Sequence, residues 1–175
     1  MPKASLDAID LAMLSALQQD GRLPNVDLAD RVGLSASPCG RRLKRLEQDG
    51  IVTAYRAVLD RAAVGLGLTV FVGLKVEAHR DENAEAVERA VAAVPEVVSC
   101  HLVAGEMDYR LEVVVEDLEA YERFLRRVLL RLPGVHDIRS TFAIKTVKAN
   151  APLPLPGAAA TEKGRSTDRP ALPRR

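Results

Sequence analysis

The stretch Val32-Gly33-Leu34-Ser35-Ala36-Ser37-Pro38-Cys39-Gly40-Arg41-Arg42-Leu43-Lys44-Arg45-Leu46-Glu47-Gln48-Asp49-Gly50 has two faces of opposite chemistry. At about 3.6 residues per helical turn, Cys39, Leu43 and Leu46 fall on one side, and Ser37, Arg41, Lys44, Arg45 and Gln48 on the other. Four cations in five positions repel one another, so their face is expected to meet water or an anionic partner. Ser35 or Ser37 starts this helix, and Pro38 is harmless in a first turn, where amides have no helical acceptor to lose.

Two helices are expected before it. Asp7 caps the first, in which Ile9, Met13, Leu14 and Leu17 recur at helical spacing up to the Asp20-Gly21 turn. Asn25 caps the second, with Leu28, Ala29 and Val32 inward and Gly33 supplying the positive φ that ends it. Three short helices with a glycine turn before the last form a helix-turn-helix, which presents its last helix to the major groove of DNA. Ile51–Tyr55 alternates weakly, as a strand or wing beside the helices would.

Downstream the pattern changes. Residues 56–68, with Asp60, Gly65 and Gly67, form an expected linker. Strands are expected at Thr69–Glu77, Val97–Ala104, from Tyr109 through Glu116, and at His136–Val147; helices at Asn83–Val94 and from Leu118 to Leu132. Within them, Val98, Cys100 and Leu102 share one strand face, and Ile138, Phe142 and Ile144 another. The order βαββαβ folds as a four-stranded antiparallel sheet with both helices on one side. Phe71, Val97, Val103, Val114, Ala143 and Val147 are assigned to the other side, an apolar face that a second copy of the chain would cover. The fold class is thus α+β: a winged helix-turn-helix over residues 1–55, a linker over 56–68, a ferredoxin-like βαββαβ domain over 69–148, and a Pro/Ala-rich tail over 149–175 expected to be disordered.

Charge is balanced across both domains, so the cationic helix is a local patch rather than part of a basic coat. Aromatics make up 3% of the chain and Trp is absent, which argues against stacking platforms for single-stranded nucleic acid. Cys39 and Cys100 lie far apart, outside any Cys-x-x-Cys pair, so neither a disulfide framework nor a zinc site is indicated. His79, His101 and His136 lack ligand-spaced companions and are placed on the surface or in the sheet; no cofactor is expected. No apolar run approaches the roughly 18 residues of a membrane helix, and a cytoplasmic location is expected.

The chain resembles the Lrp/AsnC family of leucine-responsive, feast-or-famine transcriptional regulators over about residues 6–148. The marks are Leu6-Asp7 with Asp10, Gly33-Leu34-Ser35, Pro38-Cys39, Arg41-Arg42, Arg45-Leu46-Glu47 and Gly50-Ile51, then Pro95-Glu96-Val97, Cys100-His101-Leu102-Val103, Gly105-Glu106-Met107-Asp108-Tyr109, Ala120-Tyr121 and Leu132-Pro133-Gly134-Val135. The resemblance implies a DNA-binding regulator with a ligand-sensing domain called RAM. It also implies homodimers joined through the RAM sheets, assembling into tetramers or octamers, and amino-acid effectors bound where dimers meet. Carried over by position, Ser37, Pro38, Arg41, Arg42 and Arg45 face double-stranded DNA, with Ser35 as cap or phosphate contact. Leu102, the turn Gly105, Glu106, Asp108 and Tyr109, and the strand residues Thr141, Phe142 and Ala143 line the effector site.

Chemistry refines these roles. Arginine pairs bidentately with guanine, whereas Lys44, at the edge of the face, suits a phosphate. Gly105-turn amides suit an effector carboxylate and Asp108 its ammonium, unless Asp108 only caps the turn; Leu102 and Phe142 suit an apolar side chain. Gly40, where the family usually has a larger residue, costs the helix about 1 kcal/mol relative to Ala and predicts a pliable recognition helix. Position 106 is Glu where the family commonly has Asp or Asn. Two other readings are open: a tetrapyrrole decarboxylase of the same architecture using His101, Arg110 and Arg139, and an architectural DNA-binding protein without sequence preference.

Overall fold

The structure, a computed structural model, describes residues 5–77 and 81–156. The described residues divide into two units, 5–58 with 150–156, and 59–77 with 81–149.

In the first unit, α1 (Ala8–Gln19) opens with a capping box: the Asp7 carboxylate accepts from the Asp10 amide at 2.8 Å, and Asp10 accepts from the Asp7 amide at 3.2 Å. Met13, Leu14 and Leu17 are buried along its inner stripe. α2 (Asn25–Val32) ends on Gly33 at φ 71°, as expected. Its cap differs from expectation. Pro24 holds the cap position, and Asn25 sits one residue inside, where its Nδ2 donates to the Ala36 carbonyl at 2.8 Å and ties α2 to α3. α3 (Ala36–Gln48) follows Ser35 and buries Cys39 and Leu46. After it, the amides of Ile51 and Val52 both donate to the Leu46 carbonyl, at 2.9 and 3.1 Å. This fold-back packs both side chains on the helical core and replaces the strand expected at Ile51–Tyr55.

The second unit contains β1 (Leu68–Val76), α4 (Asp81–Ala92), β2 (Val97–Leu102), β3 (Tyr109–Val115), α5 (Leu118–Arg127), a 3-10 turn at Leu129–Arg131, and β4 (Val135–Phe142). The strands form one antiparallel sheet in the order β2-β3-β1-β4. Val70, Val72, Leu74, Leu111 and Val113 are fully buried with Val87 of α4 and Tyr121 and Phe124 of α5. Hydrophobic burial from one side of the sheet and two helices builds this core.

Two strand readings need correction. A register shift between Val97 and Ser99 places Val97, instead of Val98, on the core, so Val97 leaves the opposite face. β4 stops at Phe142, leaving Ile144 and Val147 outside the sheet at 102% and 89% exposure. The opposite face is accordingly more polar than expected. Val114 is buried, the Arg110 guanidinium lies 5.2 Å over the Phe71 ring, and Arg61 pairs with Glu112 at 2.8 Å.

The tail also differs from expectation in its first part. Gln18 of α1 brackets Leu153: its Oε1 accepts from the Leu153 amide at 2.6 Å and its Nε2 donates to the Leu153 carbonyl at 3.4 Å. Leu155 packs on the helical core. The remainder of the tail, from residue 157, and His79 lie outside the described residues.

Candidate functional site

The recognition helix divides its cations into two groups. Arg41 is exposed and donates to Ser37 Oγ at 3.1 Å, and Lys44 is exposed nearby. Arg42 instead turns to α1, pairing with Asp7 at 2.6 Å and Asp10 at 2.9 Å, while Arg45 reaches Asp10 at 2.6 Å. Asp10 is only 1% exposed, so its carboxylate is held by two guanidiniums in a shielded position. The Asp10 amide and then Arg42 hold the Asp7 carboxyl below its ordinary range, and Asp7 and Asp10 raise Arg42 further. Of the cations expected to face DNA, Arg42 and Arg45 therefore also lock α3 onto α1.

Ser35 and Ser37 are exposed and Pro38 half-buried at the start of α3. Ser35 holds the N-cap position, but its hydroxyl makes no capping bond. The first-turn amides and two hydroxyls thus stand together at the positive end of a helix dipole, a geometry suited to a phosphate. Gly40 does not lie on this face: a Cβ there would meet the Asn25 side chain at 3.5 Å.

In the second unit the turn between β2 and β3 is pinned from several sides. The Val103 amide donates to the Asp108 carbonyl at 2.8 Å, and the Asp108 amide donates to Leu74 O at 2.9 Å. Asp108 Oδ2 accepts from the Val76 amide at 2.8 Å, where the β1–β4 register shifts. Its other oxygen lies 3.5 Å from Lys75 Nζ, which also donates to the Glu106 carbonyl at 2.8 Å. The Val76 amide, and then the Lys75 charge, hold the Asp108 carboxyl below its ordinary range. Asp108 is thus an anchor for the turn, and the place expected for an effector ammonium faces a lysine.

Around it, Glu106 pairs with Arg139, and buried Tyr109 donates to Glu88 at 2.9 Å. Burial, then that carboxylate, pushes the Tyr109 phenol up to about 12. Lys75 escaped the sequence reading, and Arg139 entered it only as a decarboxylase residue. A lysine at an alternating outward position of a buried strand was the available signal for the first.

The expected effector residues do not converge within one chain. Register places Leu102 beside Tyr109, Leu74 and then Ile138, whereas Thr141 lies beside Phe71. Leu102 and Thr141 are therefore about 10 Å apart along the strands and about 14 Å across them, on opposite edges of the sheet. Leu102 is 70% exposed and Phe142 42%, the latter in edge contact with Tyr121 at 5.4 Å. The decarboxylase residues share one cross-strand row, His101 opposite Arg110 and both Arg110 and Arg139 opposite Gly73, but Arg110 lies over the Phe71 ring and Arg139 is held by Glu106 and Asp137.

Residues 6–53 match a winged helix-turn-helix DNA-binding family, and residues 69–153 match the Lrp/AsnC ligand binding domain family. A leucine-responsive regulatory protein of Haemophilus influenzae is 40% identical over 144 residues, covering 82% of this chain and 87% of that protein. The Bkd operon transcriptional regulator of Pseudomonas aeruginosa is 42% identical over 152 residues, covering 87% and 99%. A transcriptional regulator of Neisseria meningitidis, NMB0573, solved in complex with L-Met, superimposes with a TM-score of 0.81 at 41% identity, covering 86% of this chain and 97% of that one. These likenesses set aside the enzyme reading, and the chain belongs to the Lrp/AsnC family of transcriptional regulators, with a winged helix-turn-helix DNA-binding region followed by a ligand-binding domain.

Proposed function

We propose that this regulator recognises specific operator DNA through α3 and that an amino acid bound by the second domain modulates its assembly or DNA binding. The observation that carries the DNA half is the division of cations on α3. Arg41 and Lys44 stand exposed with Ser35 and Ser37, while Arg42 and Arg45 fix the helix through Asp10. Arg41 reads guanine, Lys44 and the serines hold phosphate, and Arg42, Pro38 and half-exposed Arg45 support that pose from the flank.

The amino-acid half is supported by the family match and by the NMB0573 complex with L-Met. Lys75 and Arg139 beside the Gly105–Tyr109 turn suit a carboxylate, and Leu102 and Phe142 suit an apolar side chain. The separation of the turn from Thr141, Phe142 and Ala143 supports a site shared between copies of the chain. Exposed Val98, Leu102, Val103, Phe142 and Ile144 offer apolar surface for homodimers through the sheet domains and for tetramers or octamers beyond them. Residues 56–68 then serve as the linker, and the protein acts in the cytoplasm.

Binding of Arg41→Ala and Lys44→Ala to operator and random duplexes tests the DNA half. Arg41→Ala is expected to lose roughly 10-fold or more on operator and little on random DNA, a loss of about 1–3 kcal/mol of discrimination. Lys44→Ala is expected to weaken both alike. Equal losses on both duplexes for Arg41→Ala, or a wild-type protein with no operator preference, support the architectural reading instead.

A further inference from the structure

Residues 150–156 belong to the DNA-binding unit, although they follow the ligand-binding domain in sequence. Ala151-Pro152-Leu153-Pro154-Leu155-Pro156 carries a proline at every second position. Such spacing removes alternate amide donors and favours an extended chain. The Leu153 amide, between two prolines, is satisfied by Gln18 of α1, whose side chain grips the N–H of that residue at 2.6 Å and its C=O at 3.4 Å. Leu155, two residues on, is half-buried against the helical core. These residues form a strap on α1. A pre-extended segment loses little conformational entropy on docking, so two hydrogen bonds and one leucine suffice to seat it. A seat made of so few contacts is also readily vacated.

The chain therefore runs between the two units twice, once before β1 and once after β4. Both lengths leave the same end of the sheet. Val70, near the start of β1, pairs with Phe142 at the end of β4, and the Ala143 amide donates to the Thr69 carbonyl at 3.0 Å. The first length is fastened to the sheet: Arg61 donates to Thr69 Oγ1 at 3.1 Å and to Glu112 at 2.8 Å, and the Asp60 carboxylate accepts from the amides of Ala62 and Ala63. The second, residues 143–149, contains no helix or strand and exposes Ile144 and Val147. It turns into the strap at Asn150, whose φ of 51° is a left-handed conformation that asparagine tolerates. Thr141, Phe142 and Ala143, expected to line the effector site, are thus the root of this second length, and Ala143 stands ten residues before Leu153.

We propose that the strap is a releasable second tie, seated by Gln18 and Leu155, through which amino-acid binding at the end of β4 alters operator affinity. A unit on one flexible connection swivels about it, and a second tie removes part of that freedom. An amino acid that touches Thr141, Phe142 and Ala143 fixes the root of residues 143–149 and thereby favours or opposes the seated strap. It shifts operator affinity only by its differential affinity for the seated and released states. Gln18 is a positioning residue: it acts through the strap and takes no part in the α3 surface.

The inference rests on the reading that an amino acid modulates DNA binding, and one set of titrations separates the two. Calorimetry with each of the twenty L-amino acids identifies the one that binds the intact chain, and operator affinity is then measured without it and at its saturation. The proteins compared are the intact chain, Gln18→Ala, Leu155→Ser, and a chain with about six Gly/Ser residues inserted between Lys148 and Ala149. Hydrogen exchange at the Leu153 amide reports the seat directly. In the intact chain, the amino acid is expected to change operator affinity by about 5-fold or more and to alter Leu153 exchange. Gln18→Ala and Leu155→Ser are expected to bind both ligands, to exchange Leu153 fast, and to reduce the change in operator affinity to less than about 2-fold. The insertion is expected to keep Leu153 exchange slow and to reduce the change as well, because slack in residues 143–149 disconnects a strap that remains seated. A strap that only stabilises the helical core lowers the thermal midpoint of Gln18→Ala and Leu155→Ser and leaves the change in operator affinity intact in all three variants. That result overturns the proposal and leaves the functional reading standing. Leu153 exchange in the intact chain that does not respond to the amino acid also overturns it. An intact chain whose operator affinity no amino acid alters overturns both readings.

Discussion

At the scale of single residues, the sequence assigns each side chain a partner class, and the structure shows where two classes compete. Arg42 and Arg45 belong to the cationic run, yet their guanidiniums lie within hydrogen-bond reach of Asp10, a carboxylate that also closes the α1 capping box. Asp10 is only 1% exposed and would be costly to leave unpaired, so the fold spends two recognition-helix arginines on it. Gly40 shows the converse. The residue lies against Asn25, where an added Cβ finds ordinary contact at 3.5 Å and no backbone obstruction, and its φ is not among the positive values. Nothing steric demands glycine there, so its effect is the entropic cost of glycine inside a helix. Gly40→Ala is therefore expected to stabilise the helix-turn-helix by about 1 kcal/mol. Thermal unfolding followed by circular dichroism checks this, with a midpoint several degrees higher expected. An unchanged or lower midpoint means that the Asn25 contact is tighter than its geometry indicates.

At the scale of elements, helices were legible and sheet details less so, for a physical reason. The period of α1 and α3 is written in residues a few positions apart, and the Asp7 cap and the Gly33 stop are local chemistry. The bulge at Val97–Ser99 is set by pairing with β3, and nothing adjacent in sequence announces it. The strand reading of Ile51–Tyr55 failed for a similar reason, since the Leu46 carbonyl captured the amides of Ile51 and Val52. The seating of Leu153 was not legible in the tail's composition, because its partner Gln18 lies 135 residues away in the chain. The ligand-domain turn joins local and distant signals. Gly105, at φ 150°, marks it in sequence, but its seat is Gly73 of β1, where a Cβ would stand 2.9 Å from Met107 Cγ. Gly73→Ala should therefore push Met107 and the turn off the strand, at roughly 1–3 kcal/mol. Met107→Ala in the same chain removes the obstruction, so the double variant is expected to be less destabilised than the sum of the two single changes. Additive losses in a chemical-denaturation cycle rule out that contact as the cause.

At the scale of the whole molecule, the expected effector residues present a problem that one chain does not solve. Leu102 and the Gly105–Tyr109 turn lie toward one edge of the sheet, and Thr141, Phe142 and Ala143 lie at the other edge, several pairs along the strands. No side-chain rotamer bridges about 10 Å along and about 14 Å across a sheet. If both groups touch one ligand, they come from different copies, and each site needs an intact turn from one chain and an intact strand end from another. Leu102→Asp and Thr141→Glu alter the two groups at exposed positions, so neither change disturbs the buried core. Each variant alone is expected to lose amino-acid binding, because every site in its assembly carries the defect. Co-expressed in equal amounts, the two variants are expected to regain about one quarter of the wild-type sites, the share in which random association joins an unaltered turn to an unaltered strand end. Calorimetric titration of the mixed assembly with the amino acid that binds the wild type counts those sites. A site confined to one chain predicts no recovery on mixing, because each chain then carries its own defect into every assembly it joins.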